Sequence, residues 1–276
     1  MWPTCCIGIL KNIPKYHISK MKDYILSKSK FNGDTAIILG SGMGAFGDTL
    51  DDLINISYSD IPSYPVSTVK GHSGELSIGY IRDVSLIVAK GRFHYYEGYD
   101  METITLPVRL FHSLGVKKLI ITNAAGSVSL NLPPGEMMIL DSHMDCTFRK
   151  SVSIPKKQNN KKFHNPSFMR IALDSAKKVG IHISKGTYCW TMGPAYETPD
   201  EVSFIQSLGG QAVGMSTVPE IQQAAELNMK ILAISTITNY AAGITNEPLS
   251  HEEVIHVSSQ VKDDFANLLT EIVIRV

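Results

Sequence analysis

Arg92 and His94 sit two residues apart in Gly91-Arg92-Phe93-His94-Tyr95-Tyr96-Glu97-Gly98, directly after the apolar run Leu86-Ile87-Val88-Ala89. In an extended segment, residues two apart share a face. A guanidinium fork beside an imidazole suits an anion such as phosphate. An isolated arginine also suits a structural ion pair, and an isolated histidine is by default a core residue. Two neighbouring motifs shift that balance. Ile37-Ile38-Leu39 runs into Gly40-Ser41-Gly42-Met43-Gly44, whose backbone N–H groups and Ser41 hydroxyl form an anion cradle. Leu119-Ile120-Ile121 runs into Asn123-Ala124-Ala125-Gly126, which reads as a tight turn at a strand end. Its alanines leave room for a flat ligand, and Asn123 offers a donor and an acceptor. In open α/β sheets ligands bind at such carboxyl ends. Convergence of the three would place a phosphate beside a small ring.

Other chemistries fit less well. Gly42, Gly44 and Gly47 match the G-x-G-x-x-G dinucleotide pattern. The acidic residue at the end of a second strand is missing, because Asp60 leads into Ile61-Pro62-Ser63-Tyr64-Pro65. No G-x-S-x-G nucleophile elbow occurs. His143, Asp145 and Cys146 lack a partner pair at a metal-site spacing, so no metal is expected. Lys90 reads as a surface charge a step behind Arg92.

These motifs need elements to carry them. Strands are expected at 35–39, 76–80, 84–89, 118–121, 137–140, 186–188, 211–214 and 231–236, several of them apolar throughout, as strands covered on both faces are. Helical patterns lie between, at 101–114, 199–208 and 219–227. The tail from His251 carries Val254, Val257, Val261, Phe265, Leu268 and Ile272 at helical spacing and reads as one long amphipathic helix. The alternation predicts a three-layer α/β/α fold with a central mixed, largely parallel sheet. No linker divides the chain, so residues 1–276 form a single domain, with 1–30 an N-terminal extension and helix. The polar stretch from Lys150 to Asn165 reads as an exposed, mobile loop.

Composition narrows the partners. The 276 residues carry 26 basic and 26 acidic side chains, so the basic excess of a nucleic-acid binder is absent. The four cysteines form no C-x-x-C pair, which suits a reducing cytoplasm. No signal peptide and no membrane-length apolar run is visible.

Further motifs are Gly71-His72-Ser73-Gly74, Gly193-Pro194-Ala195-Tyr196-Glu197-Thr198, Gly214-Met215-Ser216-Thr217-Val218-Pro219-Glu220 and Thr238-Asn239. Taken in order with the three above, they strongly resemble the trimeric purine nucleoside phosphorylases, from about Asp34 to the C-terminus. The resemblance implies reversible phosphorolysis of a purine (2′-deoxy)ribonucleoside to free base and (deoxy)ribose 1-phosphate. Inorganic phosphate would be a co-substrate, with no cofactor, and the assembly a homotrimer. By the same resemblance, Ser41, His72, Arg92, His94, Asn123, Ala124 and Ser216 hold phosphate. Tyr96, Tyr188, Met215 and His251 line the ribose. Ala124, Ala125, Tyr196, Glu197, Val213, Gly214 and Asn239 surround the base. His94, Glu197 and Asn239 carry the catalytic roles. Glu197 opposite N1–H, with the Asn239 amide near N7 and O6, implies inosine and guanosine rather than adenosine. The alternative within the family is a 5′-methylthioadenosine or methylthioinosine phosphorylase, a branch that has an aspartate in place of Asn239. Residues 142–165 depart from the inosine and guanosine enzymes, and Asp145-Cys146-Thr147-Phe148-Arg149 resembles the methylthioadenosine branch. Phe148 is a candidate to close a neighbouring subunit's ribose site.

Overall fold

The strands of the sequence pattern are present, and one more joins them. The computed structural model describes residues 16–67, 69, 72–150, 153–246 and 249–276. The elements are α1 (Ile18–Lys28), β1 (Thr35–Ile38), β2 (Asp51–Ser57), β3 (Glu75–Ile81), β4 (Val84–Ala89), α2 (Met101–Ile104), α3 (Leu106–Ser113), β5 (Lys118–Ser127), β6 (Met137–Asp145), α4 (Pro166–Val179), β7 (Ile183–Trp190), α5 (Pro199–Ser207), β8 (Ala212–Gly214), α6 (Val218–Glu226), β9 (Lys230–Tyr240), α7 (His251–Gln260) and α8 (Lys262–Val273). They form one nine-stranded mixed sheet in the order β2-β3-β4-β1-β5-β8-β7-β6-β9.

β5 also pairs with β9, in parallel, over its full length. Half of the sheet therefore closes on itself through β5, β8, β7, β6 and β9, while β2, β3, β4 and β1 form an open wing. β5 belongs to both halves.

Strict alternation splits the core. Ala36 and Ile38 of β1, with Leu119 and Ile121 of β5, pack under α1, α3 and α6. Ile37 and Ile120 face the other way, with Leu232 and Ile234, under α4 and α8. Strands covered on both faces must be apolar at every position, which is why they read as unbroken hydrophobic runs. The result is the expected three-layer α/β/α arrangement.

Several expectations need correction. Asn123-Ala124-Ala125-Gly126 is not a turn but the continuation of β5 to Ser127. Its register with β9 carries it through: Asn123 faces Ser235, and Ala125 faces Ile237. β2 was not visible in the sequence, because its residues are mostly exposed and Asp51 and Asp52 disguise it. The expected helix 101–114 is two, separated at Thr105, because Pro107 has no N–H to continue the ladder. The long C-terminal helix is also two, separated at Val261. The stretch to Asn165 is tethered rather than mobile. Gln158 bridges His143 through N–H···O bonds of 2.8 and 3.0 Å, His164 is buried, and Asn165 caps α4. Ser151 and Val152, within that stretch, lie outside the described residues, as do residues 1–15 of the expected 1–30 extension.

Candidate functional site

The carboxyl ends of β1, β4 and β5 meet the ends of β8 and β9 around an open cleft. Close approach of the backbones requires glycine at the first strand end: a Cβ on Gly40 would lie 2.6 Å from Asn123 Cα. Gly91, with φ at +138°, keeps the β4 end clear of the His72 ring.

Ser41, His72, Arg92 and His94 line one end of the cleft, as their motifs predict. Arg92 is 2% exposed. Its Nε donates to Glu220 at 3.2 Å and its Nη1 to the Ser216 hydroxyl at 3.3 Å. Nη2 is buried with no partner among the described residues. A buried guanidinium nitrogen left unpaired is costly, and an anion in the cleft supplies the missing acceptor.

The two histidines have fixed tautomers. The Arg92 N–H points at His72 Nδ1 at 3.3 Å, so Nδ1 is an acceptor and Nε2 carries the hydrogen. Nε2 then donates to Ser41 Oγ at 3.2 Å, which leaves the Ser41 hydroxyl free to donate into the cleft. Burial, with His94 and Arg92 close by, pushes His72 down to about 3, so it is neutral at pH 7. Glu97 accepts from the His94 N–H at 2.8 Å and lies 3.0 Å from its Nδ1. That places the hydrogen on Nδ1 and turns Nε2 outward. Burial also lowers His94, despite the Glu97 carboxylate. Its ring stacks between His72, 5.4 Å away, and Tyr96, 4.8 Å away.

Ala124, Ala125, Tyr196, Glu197, Val213, Gly214, Met215, Ser216 and Asn239 also line the cleft. Tyr196 is 38% exposed, a ring at the mouth. Glu197 is nearly buried, and burial raises its pKa. The Thr191 hydroxyl donates to its Oε1. Asn239 reaches the cleft through a bulge. Ala125 pairs with Ile237 and Gly126 with Asn239, so Thr238 is a surplus residue on β9. A bulge re-aims the side chains beside it, and here Thr238 and Asn239 both line the wall. One Asn239 Nδ2 hydrogen goes to the Tyr240 carbonyl at 2.9 Å, and Oδ1 accepts from Thr238 at 3.0 Å. The second Nδ2 hydrogen remains for a ligand.

Three expected contacts differ. Asn123 lies in the wall, but its side chain is spent on the fold. Its Nδ2 donates to Thr217 at 2.9 Å and its Oδ1 accepts from Ser235 at 2.8 Å. It thereby holds Thr217, whose φ of +75° is strained for a β-branched residue, next to Ser216. Tyr188 is fully buried and does not line the cleft; its hydroxyl accepts the Ser216 N–H at 3.3 Å from behind. Lys90 is not a surface charge. It is 5% exposed and bonds Asp48 and Glu75, each at 2.6 Å. Gly47 leaves room for its stem, since a Cβ there would meet Lys90 Cδ at 2.8 Å. The third glycine of the dinucleotide-like pattern thus serves a buried lysine. His251 opens α7, but its side chain lies outside the described residues. Phe148 is 46% exposed, with its ring 6.3 Å from that of Phe204, and it does not line this cleft. Sequence reasoning missed Ala241 and Val254 in the wall and Thr191 behind it, and it gave no role to Gly126, Thr238, Glu97 and Glu220, although each stands in a quoted motif. A helical tail with Val254 on its apolar stripe was the available signal for one of these.

An unpaired arginine donor, two neutral imidazoles and two hydroxyls at one end of a cleft, with a carboxyl, an amide and an aromatic ring at the other, define an enzyme site for an anion and a heterocycle. Residues 34–274 match the model of the phosphorylase superfamily. The chain is 40% identical over 263 residues to purine nucleoside phosphorylase 1 of Geobacillus stearothermophilus, covering 93% of this chain and 96% of that protein. It is 43% identical over 244 residues to purine nucleoside phosphorylase 1 of Bacillus subtilis, covering 86% and 90%. Purine nucleoside phosphorylase of Schistosoma mansoni, solved in complex with inosine, superposes with a TM-score of 0.84 at 30% identity, over 96% of this chain and 97% of that one. The chain belongs to the phosphorylase superfamily.

Proposed function

We infer that the chain catalyses reversible phosphorolysis of 6-oxopurine ribonucleosides and deoxyribonucleosides, with inosine and guanosine as substrates. It is a pentosyltransferase. The observation that carries the site assignment is the buried, unpartnered Arg92 Nη2 flanked by Ser41, His72, His94 and Ser216. Phosphate docked there accepts from Arg92 and the hydroxyls. One of its oxygens bonds to C1′ as the C1′–N9 bond breaks, and the electron pair departs with the purine. Phosphate is itself the nucleophile, so no cofactor is required. The free Asn239 N–H faces the developing charge at N7, a bond that strengthens as the base leaves. Glu197 in its ionised form accepts N1–H, and Tyr196 covers the ring. His94 Nε2, a lone pair when neutral, accepts from a protonated phosphate oxygen or a ribose hydroxyl. Tyr96 and Met215 border the ribose.

The assembly is a homotrimer in this reading. The exposed Phe148 beside Phe204 supports it, as a pair of rings suited to a subunit contact. Cys146 and Cys189 are unpaired, which supports a reducing, cytoplasmic setting. The deciding experiment measures hypoxanthine release from inosine with and without phosphate, alongside methylthioadenosine. Release that ignores phosphate refutes the reaction, and methylthioadenosine as the better substrate refutes the substrate class. Light scattering gives the subunit count.

A further inference from the structure

Lys90 follows β4 directly and sits behind the residues that line the anion end of the cleft. Its backbone joins it to the turn that carries His72. Its N–H donates to the Glu75 carbonyl at 2.9 Å, and its carbonyl accepts the Gly74 N–H at 3.1 Å. Its stem runs against the short turn Gly44–Thr49 that follows the Ser41 cradle. A Cβ on Gly47 would meet Lys90 Cδ at 2.8 Å and Cγ at 3.0 Å. Its ammonium ends between Asp48 of that turn and Glu75 at the start of β3, and donates to each at 2.6 Å.

We propose that Lys90 is a positioning residue for phosphate, which fixes the Ser41 cradle and the His72 turn relative to Arg92. The inference rests on the phosphorolysis reading above. Two short paths lead from the ammonium to the cleft. From Asp48 the chain returns to Ser41 through a compact turn, in which Phe46 N–H donates to the Met43 carbonyl and Met43 N–H to the Gly40 carbonyl, each at 3.2 Å. From Glu75 it returns to His72, whose ring meets the Ser41 hydroxyl at 3.2 Å and the Arg92 N–H at 3.3 Å. Arg92 itself is two residues beyond Lys90. One ammonium therefore ties the supports of Ser41, His72 and Arg92 together from behind.

Attraction of the anion is not the means. One ammonium faces two carboxylates, so the group as a whole is negative and repels phosphate. Its effect is geometric. Lys90 is 5% exposed, and a buried ammonium is stable only when paired and hydrogen-bonded. Its two partners belong to different segments, so the lysine is satisfied only when both segments stand at its head. Such a network has few alternative arrangements.

The test separates position from charge. Steady-state phosphorolysis of inosine gives the KM for phosphate, the KM for inosine and kcat. Asp48→Asn removes one negative charge and weakens one tie; Asp48 is 54% exposed, so the fold tolerates the change. Lys90→Met combined with Asp48→Asn and Glu75→Gln removes the whole group and its net charge. Loss of repulsion alone would lower the phosphate KM in both variants. Loss of position raises it, by about tenfold in the triple variant, the equivalent of one charged hydrogen bond. The KM for inosine and kcat at saturating phosphate move far less. A phosphate KM at or below wild type in Asp48→Asn overturns the proposal, and that variant decides if the triple variant does not fold. Equal rises in both KM values also overturn it, since they mark general loosening. Inosine cleavage by the wild-type enzyme that ignores phosphate would instead refute the underlying reaction.

Discussion

Glu220→Gln isolates the charge that holds Arg92 in place. Both side chains are almost fully buried, at 2% and 1% exposure, and they meet through a single 3.2 Å contact. The amide keeps the oxygen that accepts from Nε and removes the negative charge. Breaking a buried pair costs about 3–5 kcal/mol because one charge is left uncompensated. Retention of the hydrogen bond puts this case near 3 kcal/mol. At about 2–4 °C per kcal/mol for a domain of this class, the melting temperature falls by roughly 6–12 °C in phosphate-free buffer. Phosphate then replaces the lost anion. With an effective dielectric of ~20 and a separation of roughly 6 Å, removal of a carboxylate repelling it is worth ~3 kcal/mol per unit charge. Phosphate should bind the variant more tightly and return nearly all of the lost stability. The assay is thermal unfolding of both proteins across a phosphate titration. An equal deficit at zero and saturating phosphate would refute the placement of the anion on Arg92.

Asn239→Ala removes the N–H at N7 and slows phosphorolysis by roughly 10²–10³-fold, by analogy with loss of one preorganised donor; steady-state turnover equal to wild type removes it from the mechanism. Gly40→Ala forces a Cβ against the Asn123 backbone at 2.6 Å, and should destabilise the fold by about 1–3 kcal/mol, measured by urea unfolding, and raise the KM for phosphate. The buried histidines make the protein acid-labile. His72 and His143 are pushed down to about 3 and His164 to about 4, chiefly by burial. Their folded values lie below the unfolded one, so the unfolded chain binds more protons, and stability is full above about pH 6.5 and lost as pH falls below it. Each costs about 2 kcal/mol at pH 5; a flat melting temperature from pH 7 to pH 5 would contradict this.

The sequence revealed those parts of the site that depend on local parity and on strand-end chemistry. Arg92 and His94 share a face because β4 feeds them straight into the cleft, and the glycines of residues 40–44 mark a backbone contact. What stayed hidden depends on distant partners. Asn123 looks like a ligand residue until Ser235 and Thr217 take both ends of its amide. Turn-forming residues at 123–126 become strand because β9 lies alongside, a tertiary override of local propensity. Lys90 looks exposed because Asp48 and Glu75, its partners, come from other elements. Thr191 has no motif of its own, and only the fold brings it to Glu197.

β5 is shared by the open wing and the closed ring, and in the proposed reaction it spans the positions of both reactants. Asn123 and Ala124 border the anion end, while Ala125 and Gly126 border the heterocycle end. In that reading the offset between nucleophile and leaving group is ruled off along one backbone at about 3.3 Å per residue.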